Sequence, residues 1–211
     1  TTGNGGAIYV EGNVTINNEA TINTNTATGN GGAIYVEDGN LTTKKVTASG
    51  NRAANGGVFF VKGGNVNLGV TVSGQTITQV AAAEMTSNTA SGNGGAIALE
   101  NGVFTMHNDS KISSNSAGGY GGALYIKNAS ATSITCKGGT FSQNTAKAGG
   151  AVCADGPITL ALAANIEDNT AQVGGGIYLV NGVNMTFGDA SQQLGLIRAN
   201  KAQGTTTSGT A

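Results

Sequence analysis

The sequence predicts an all-β chain wound as a right-handed parallel β-helix, a β-solenoid of about seven coils with roughly 26 residues per coil. Three observations carry the prediction. A Gly-Gly pair followed by a small residue and an aliphatic run recurs seven times, six copies of an Asn-x-Ala tripeptide lie five or six residues before the next pair, and the composition favours strands and turns over helices. Among 211 residues there are 36 Gly, 27 Thr and 24 Asn against a single Pro. Gly, Asn and β-branched residues form helices poorly, and no 3.6-residue apolar period is present. Self-similarity at a fixed period is the mark of a stacked-repeat architecture.

The first landmark reads Gly5-Gly6-Ala7-Ile8, Gly31-Gly32-Ala33-Ile34, Gly56-Gly57-Val58-Phe59, Gly94-Gly95-Ala96-Ile97, Gly121-Gly122-Ala123-Leu124, Gly149-Gly150-Ala151-Val152 and Gly174-Gly175-Gly176-Ile177. Successive copies start 26, 25, 38, 27, 28 and 25 residues apart. The pair supplies a corner where φ is positive or a side chain would clash. In the strand that follows, the third and fifth residues after the first Gly form two aliphatic columns, from Ile8 and Val10 to Ile177 and Leu179. Side chains alternate along a strand, so both columns face the interior. The column between them, Tyr9, Tyr35, Phe60, Ala98, Tyr125, Cys153 and Tyr178, faces outward as an interrupted aromatic stripe, and its aromatic members are candidate contact residues.

The next column, Glu11, Glu37, Lys62, Glu100, Lys127, Asp155 and Val180, gathers six of the chain's few charges. From Glu37 onward the sign alternates, which in-register stacking would turn into opposite-charge neighbours. The second landmark places Asn25, Asn51, Asn88, Asn115, Asn144, Asn169 and Asn200 three residues after an apolar position, Phe141 in the case of Asn144, with Ala48 the one small residue in that column. These Asn are expected to turn another corner, their amides satisfying backbone groups freed by the bend. A coil of this length fits three short strands, hence a three-sided helix. The 38-residue step exceeds one coil, which predicts that Gly69–Ala83 protrudes as a loop; a smaller surplus falls between Gly182 and Gly195. Residues 1–211 are thus expected to form one β-helix.

Gly-Gly-Ala-[Ile/Leu/Val] paired with Phe-x-x-Asn resembles the chlamydial polymorphic membrane proteins. Strict copies of the first motif start at Gly5, Gly31, Gly94, Gly121 and Gly149, and the strict second motif is Phe141–Asn144, with Ile or Met in place of Phe elsewhere. The resemblance implies an autotransporter passenger displayed at the bacterial outer-membrane surface or secreted from it. It further implies adhesion to a host-cell receptor, protein or glycan, with the two motifs linked to adhesion. The chain would then be a segment of a longer passenger, and open coil ends would favour self-association.

The remaining chemistry is sparse. A net charge of −1 with no basic cluster argues against nucleic acid, and no apolar run is long enough to insert in a membrane. Cofactors and metals have no motif. A polysaccharide-processing enzyme, a common use of parallel β-helices, needs carboxylates converging on one groove. The adjacent pairs Glu37-Asp38 and Glu167-Asp168 alternate in direction along a strand, and His107 with Asp109 sits in a turn-like stretch. A non-enzymatic adhesive segment is therefore expected, with the enzyme and a purely structural stalk as alternatives. Cys136 and Cys153 fall on different sides of the coil and are expected as free thiols.

Overall fold

A computed structural model describes residues 3–17, 19–73, 76–80, 82–107, 109–188 and 195–204. The chain winds as a parallel β-helix with strands stacked in coil order. The first side holds seven strands, Ile8–Val10, Ile34–Val36, Phe59–Val61, Ile97–Glu100, Leu124–Lys127, Val152–Asp155 and Ile177–Val180. The second side holds Val14–Ile16, Leu41–Thr43, Val66–Leu68, Phe104–Met106, Thr132–Cys136, Ile158–Leu162 and Asn184–Phe187. The third runs from Ala20–Asn23 through Val46–Ser49, Ala83–Thr86, Lys111–Ser113, Thr140–Ser142 and Asn165–Glu167 to Ile197–Arg198. All neighbouring strands in these sheets pair in parallel, with the repeat columns in register: Ile97 opposes Leu124, and Met85 opposes Ile112.

A fourth, shorter sheet corrects the three-sided expectation. Its six strands run from Arg52–Ala53 and Thr89–Ala90 to Lys201–Ala202. The residue before each repeat Asn adopts a left-handed conformation, φ 56° at Ser114 and 65° at Gly50, and this bend divides what would be one side into two. The Ala column beyond the Asn then pairs with itself, Ala90 lying between Ala53 and Ala117.

The 38-residue step is accommodated at one corner. Val66–Leu68 and Ala83–Thr86 keep register with the coils on either side, while Val70–Ser73 and Thr76–Val80 pair antiparallel with each other in a sheet of their own. The expected loop boundaries shift inward. Gly69 N–H still donates to the Thr43 carbonyl at 3.0 Å, and Ala83 opposes Val46 in the third side. Residues 74, 75 and 81, and residues 189–194 within the second surplus, lie outside the described residues.

The aliphatic columns fill the interior. Ile34, Phe59, Ile97, Leu124 and Val152 meet Phe104, Leu160, Met85, Ile112 and Phe141 in one continuous buried cluster. Contiguous apolar burial of this kind is the main stabilising term of a stacked fold.

Candidate functional site

The Gly-Gly corner is built from two different constraints. Gly31 has φ 67°, which favours a residue without Cβ, whereas at Gly32 a Cβ would run into the Gly57 carbonyl oxygen of the next coil. The same division holds at Gly94 and Gly95, at Gly121 and Gly122, and at Gly149 and Gly150. The following Ala completes the corner. Ala96 and Ile97 N–H groups both donate to the Ala123 carbonyl, at 3.1 and 2.9 Å, and Ala123 and Leu124 do the same to Ala151 at 3.0 Å. From Gly31 to Val152 the strict motif copies are buried, with their backbone donors consumed between coils. Gly6, Ala7 and Ile8, in the first described coil, are exposed, with Gly5 half-buried.

The Asn column is a continuous hydrogen-bonded stack. Each Oδ1 accepts both the backbone N–H and the Nδ2–H of the Asn one coil earlier: Asn88 donates to Asn115 at 3.0 and 2.9 Å, Asn115 to Asn144 at 2.9 and 3.1 Å, and Asn144 to Asn169 at 2.9 and 3.0 Å. Each Nδ2 also reaches back to the carbonyl beside the apolar column, Asn115 to Met85 and Asn169 to Phe141, both at 3.0 Å. The five Asn from Asn51 to Asn169 are buried, so the amides replace the water that the bend excludes. Phe141 is buried beneath Asn144 as part of the core.

A model of the Chlamydia polymorphic membrane protein repeat matches residues 19–37, 83–100, 109–127 and 138–155. The chain carries four copies of the chlamydial polymorphic membrane protein repeat. That repeat implies a surface autotransporter passenger associated with the outer membrane. No curated protein matches the chain, nor does any solved structure. Every matched span covers the same structural unit: the third side, the Asn bend, the Gly-Gly corner and the first-side strand. The second side lies outside the matched polymorphic membrane protein repeat in every coil.

The aromatic stripe departs from expectation. Tyr35, Phe60 and Tyr125 are 4, 4 and 8% exposed and pack with Ala98 and Cys153 in a second apolar cluster, outside the main core. Tyr9, Tyr35 and Phe60 stack face to face with centroids 5.2 and 5.3 Å apart, so ring faces that would meet a partner are spent on one another. Tyr9 alone of the stripe is openly exposed, and Tyr178 is half-buried. Sequence reasoning missed Tyr120, which is 45% exposed. Its ring lies 6.4 Å from Tyr125 and 6.3 Å from Tyr178, filling the gap left by the smaller Cys153 between them. The signal was available: Tyr120 precedes Gly121 in a column that reads Asn4, Asn30, Asn55 and Asn93 in earlier coils, and its N–H ends that stack on Asn93 Oδ1 at 2.9 Å.

In the charged column the stacking is in register, Glu100 opposing Lys127 and Lys127 opposing Asp155. Direct ion pairing within it occurs at Glu37–Lys62 among the described residues. Glu37 is the junction of several contacts, accepting from Lys62 and from the Tyr35 hydroxyl at 2.6 Å. The Lys62 ammonium first, then the Tyr35 hydroxyl, hold its carboxyl below the usual range. Burial, then the hydrogen bond to Glu37, push the Tyr35 hydroxyl upward.

The candidate acids do not converge. Glu167 pairs with Arg198 at 2.8 Å, and its neighbour Asp168 occupies the left-handed bend at φ 56°. His107 is buried and kept neutral, burial and then Lys137 lowering its pKa, while Asp109 is an exposed turn residue at φ 68°. No group of three potential metal ligands occurs among the described residues. Cys136 lies in the main core and Cys153 in the outer cluster, both as free thiols.

Proposed function

We propose that this chain is a non-enzymatic adhesive segment of its passenger, in which the repeat builds the scaffold and the outward side chains meet the host-cell receptor. The observation that carries the reading is the division of labour within each coil. The recurring Gly-Gly-Ala and Asn motifs are buried and hydrogen-bonded from coil to coil, whereas outward positions vary between coils, as along Glu84, Lys111, Thr140 and Asn165. Solenoids commonly bind through such extended, regularly spaced surfaces. On this reading the motifs support adhesion indirectly, because the coil cannot close without them, and the exposed Tyr120 is a better contact candidate than the buried stripe. The family resemblance supports the same direction, as does the separation of the acids.

The test is binding of the purified chain, displayed on beads, to cultured epithelial cells. Saturable binding, competed by soluble chain, is expected. Beads that attach no better than beads carrying an unrelated β-helix would refute the reading, and release of product from a polysaccharide panel would favour the enzyme alternative.

A further inference from the structure

The second side forms no part of the recurring motif, and its outward face has a distinctive chemistry. Over the first three coils it carries a shallow groove of about 510 Å³. Thr15, Thr42 and Asn67 form one of its columns in register, with Asn40, Asn65 and Lys44 beside them. Among the described residues, Lys44 is the one charged residue lining the groove, and neither a carboxylate nor an apolar side chain contributes to it.

The amides are not free to turn. Asn13 Oδ1 accepts the Asn40 N–H at 2.9 Å, Asn40 Oδ1 accepts the Asn65 N–H at 3.0 Å, and Asn65 Oδ1 accepts the Val103 N–H at 3.3 Å. With each oxygen committed to the backbone of the next coil, the Nδ2 hydrogens of these exposed residues are left for an incoming acceptor. Lys44 is anchored by its own N–H on the Ile16 carbonyl at 2.9 Å. The nearest acids along the chain, Asp38 and Glu19, stand at the corners, and Glu19 is already paired with Lys45.

We propose that this groove binds an anionic oligosaccharide. Fixed amide donors, hydroxyls and one ammonium, repeating at the coil spacing of roughly 4.8 Å, match a polyhydroxylated chain that carries carboxylate or sulfate oxygens. The absence of any apolar lining disfavours a protein hot spot, which requires an aromatic or aliphatic pocket. The inference names the partner class for the adhesive reading above and rests on it for its biological setting.

Calorimetric titration tests it, with a short heparin fragment, a short hyaluronan fragment and a maltooligosaccharide as probes. These separate sulfate, carboxylate and neutral chains. One or both anionic fragments should bind, and the neutral chain should bind more weakly. Lys44→Glu should weaken binding by about fivefold, the effect of losing one exposed charge contact, and Asn67→Ala should weaken it without changing the melting temperature. Lys201→Glu, on the fourth side, should leave it unchanged. No binding of either anionic fragment, equal binding of the neutral chain, or equal weakening by both charge reversals would overturn the proposal. The same variants on beads keep the two readings apart. Cell attachment without binding of either anionic fragment sinks the groove and spares adhesion; glycan binding without cell attachment does the reverse.

Discussion

Replacing Asn115 by Ala should unlock one step of the Asn stack at a cost that the geometry permits to be worked out. Asn115 is 1% exposed. Its Oδ1 accepts from Asn88 N and Asn88 Nδ2, and its Nδ2 donates to the Met85 carbonyl and to Asn144 Oδ1. Truncation therefore strands two buried donors on Asn88 and removes a donor from the Met85 carbonyl. A buried polar group left unpaired costs about 1–3 kcal/mol, and water entering the vacated space would recover part of that. The expected loss is about 3–5 kcal/mol. Ser113→Ala, one bend away on the half-buried outer face, should cost less than about 0.5 kcal/mol. Urea unfolding gives the total, but stacked coils can unfold in parts, so hydrogen exchange is the sharper assay. The Asn88 amide should lose protection in Asn115→Ala while the Asn25 amide, two coils further away, keeps it. A loss below about 1 kcal/mol with Asn88 still protected would refute the account of the Asn stack as the bend's replacement for water.

Gly95→Ala should prevent coil closure, because the added Cβ meets the Gly122 carbonyl oxygen rather than a movable side chain; a soluble variant with wild-type melting would contradict this. Lys62→Glu should lower the unfolding midpoint more than Lys44→Glu at low salt, since it removes the Glu37 partner, and high salt should shrink the difference. Because Glu37 has a depressed pKa when folded, the contribution of that pair is present above the ordinary carboxylate range and fades as pH falls through it, so acid should also erase the difference. The thiols of Cys136 and Cys153 should resist alkylation in the native protein at pH 8, burial raising the pKa of Cys153 to about 12 and that of Cys136 higher still. Both should react once the chain is unfolded without reductant; failure to do so would indicate a disulfide.

How far the sequence determined the architecture can be judged at particular positions. Ile8, Ile34 and Phe59 announced an inward column because stacking repeats one environment at every coil, and the repeat itself encodes the register. The bend was half legible. Asn115 marked it, but the left-handed residue before each Asn is Thr, Gly, Ser, Gln, Asp or Ala, with no shared chemistry to reveal the fourth sheet. Outward direction was legible at Tyr35 and Phe60, whereas exposure was not. Alternation fixes which face a side chain leaves from, and burial then depends on neighbours one coil away and on residues such as Tyr120 arriving from another corner. The charged column shows the same limit, since register brought Glu100 opposite Lys127 but rotamers and the nearby Asn181, which donates to Asp155 at 2.7 Å, decide which charges touch.

That limit governs how variants made to test the adhesive proposal should be interpreted. A substitution in Gly-Gly-Ala or at Asn144 acts on buried groups shared by adjacent coils, so it changes every surface that those coils present. Loss of attachment after such a change cannot distinguish a contact from a collapsed coil. The discriminating variants are those whose side chains carry no intercoil bond, such as Asn67→Ala on the second side, compared with Tyr120→Ala at the exposed corner. If Asn67→Ala reduces attachment at unchanged melting temperature and Tyr120→Ala does not, the second side is the contact face. The opposite pattern assigns contact to the aromatic corner. Attachment untouched by either, yet abolished by Asn144→Ala in a chain that still melts like wild type, would overturn the separation of scaffold from surface on which the functional reading stands.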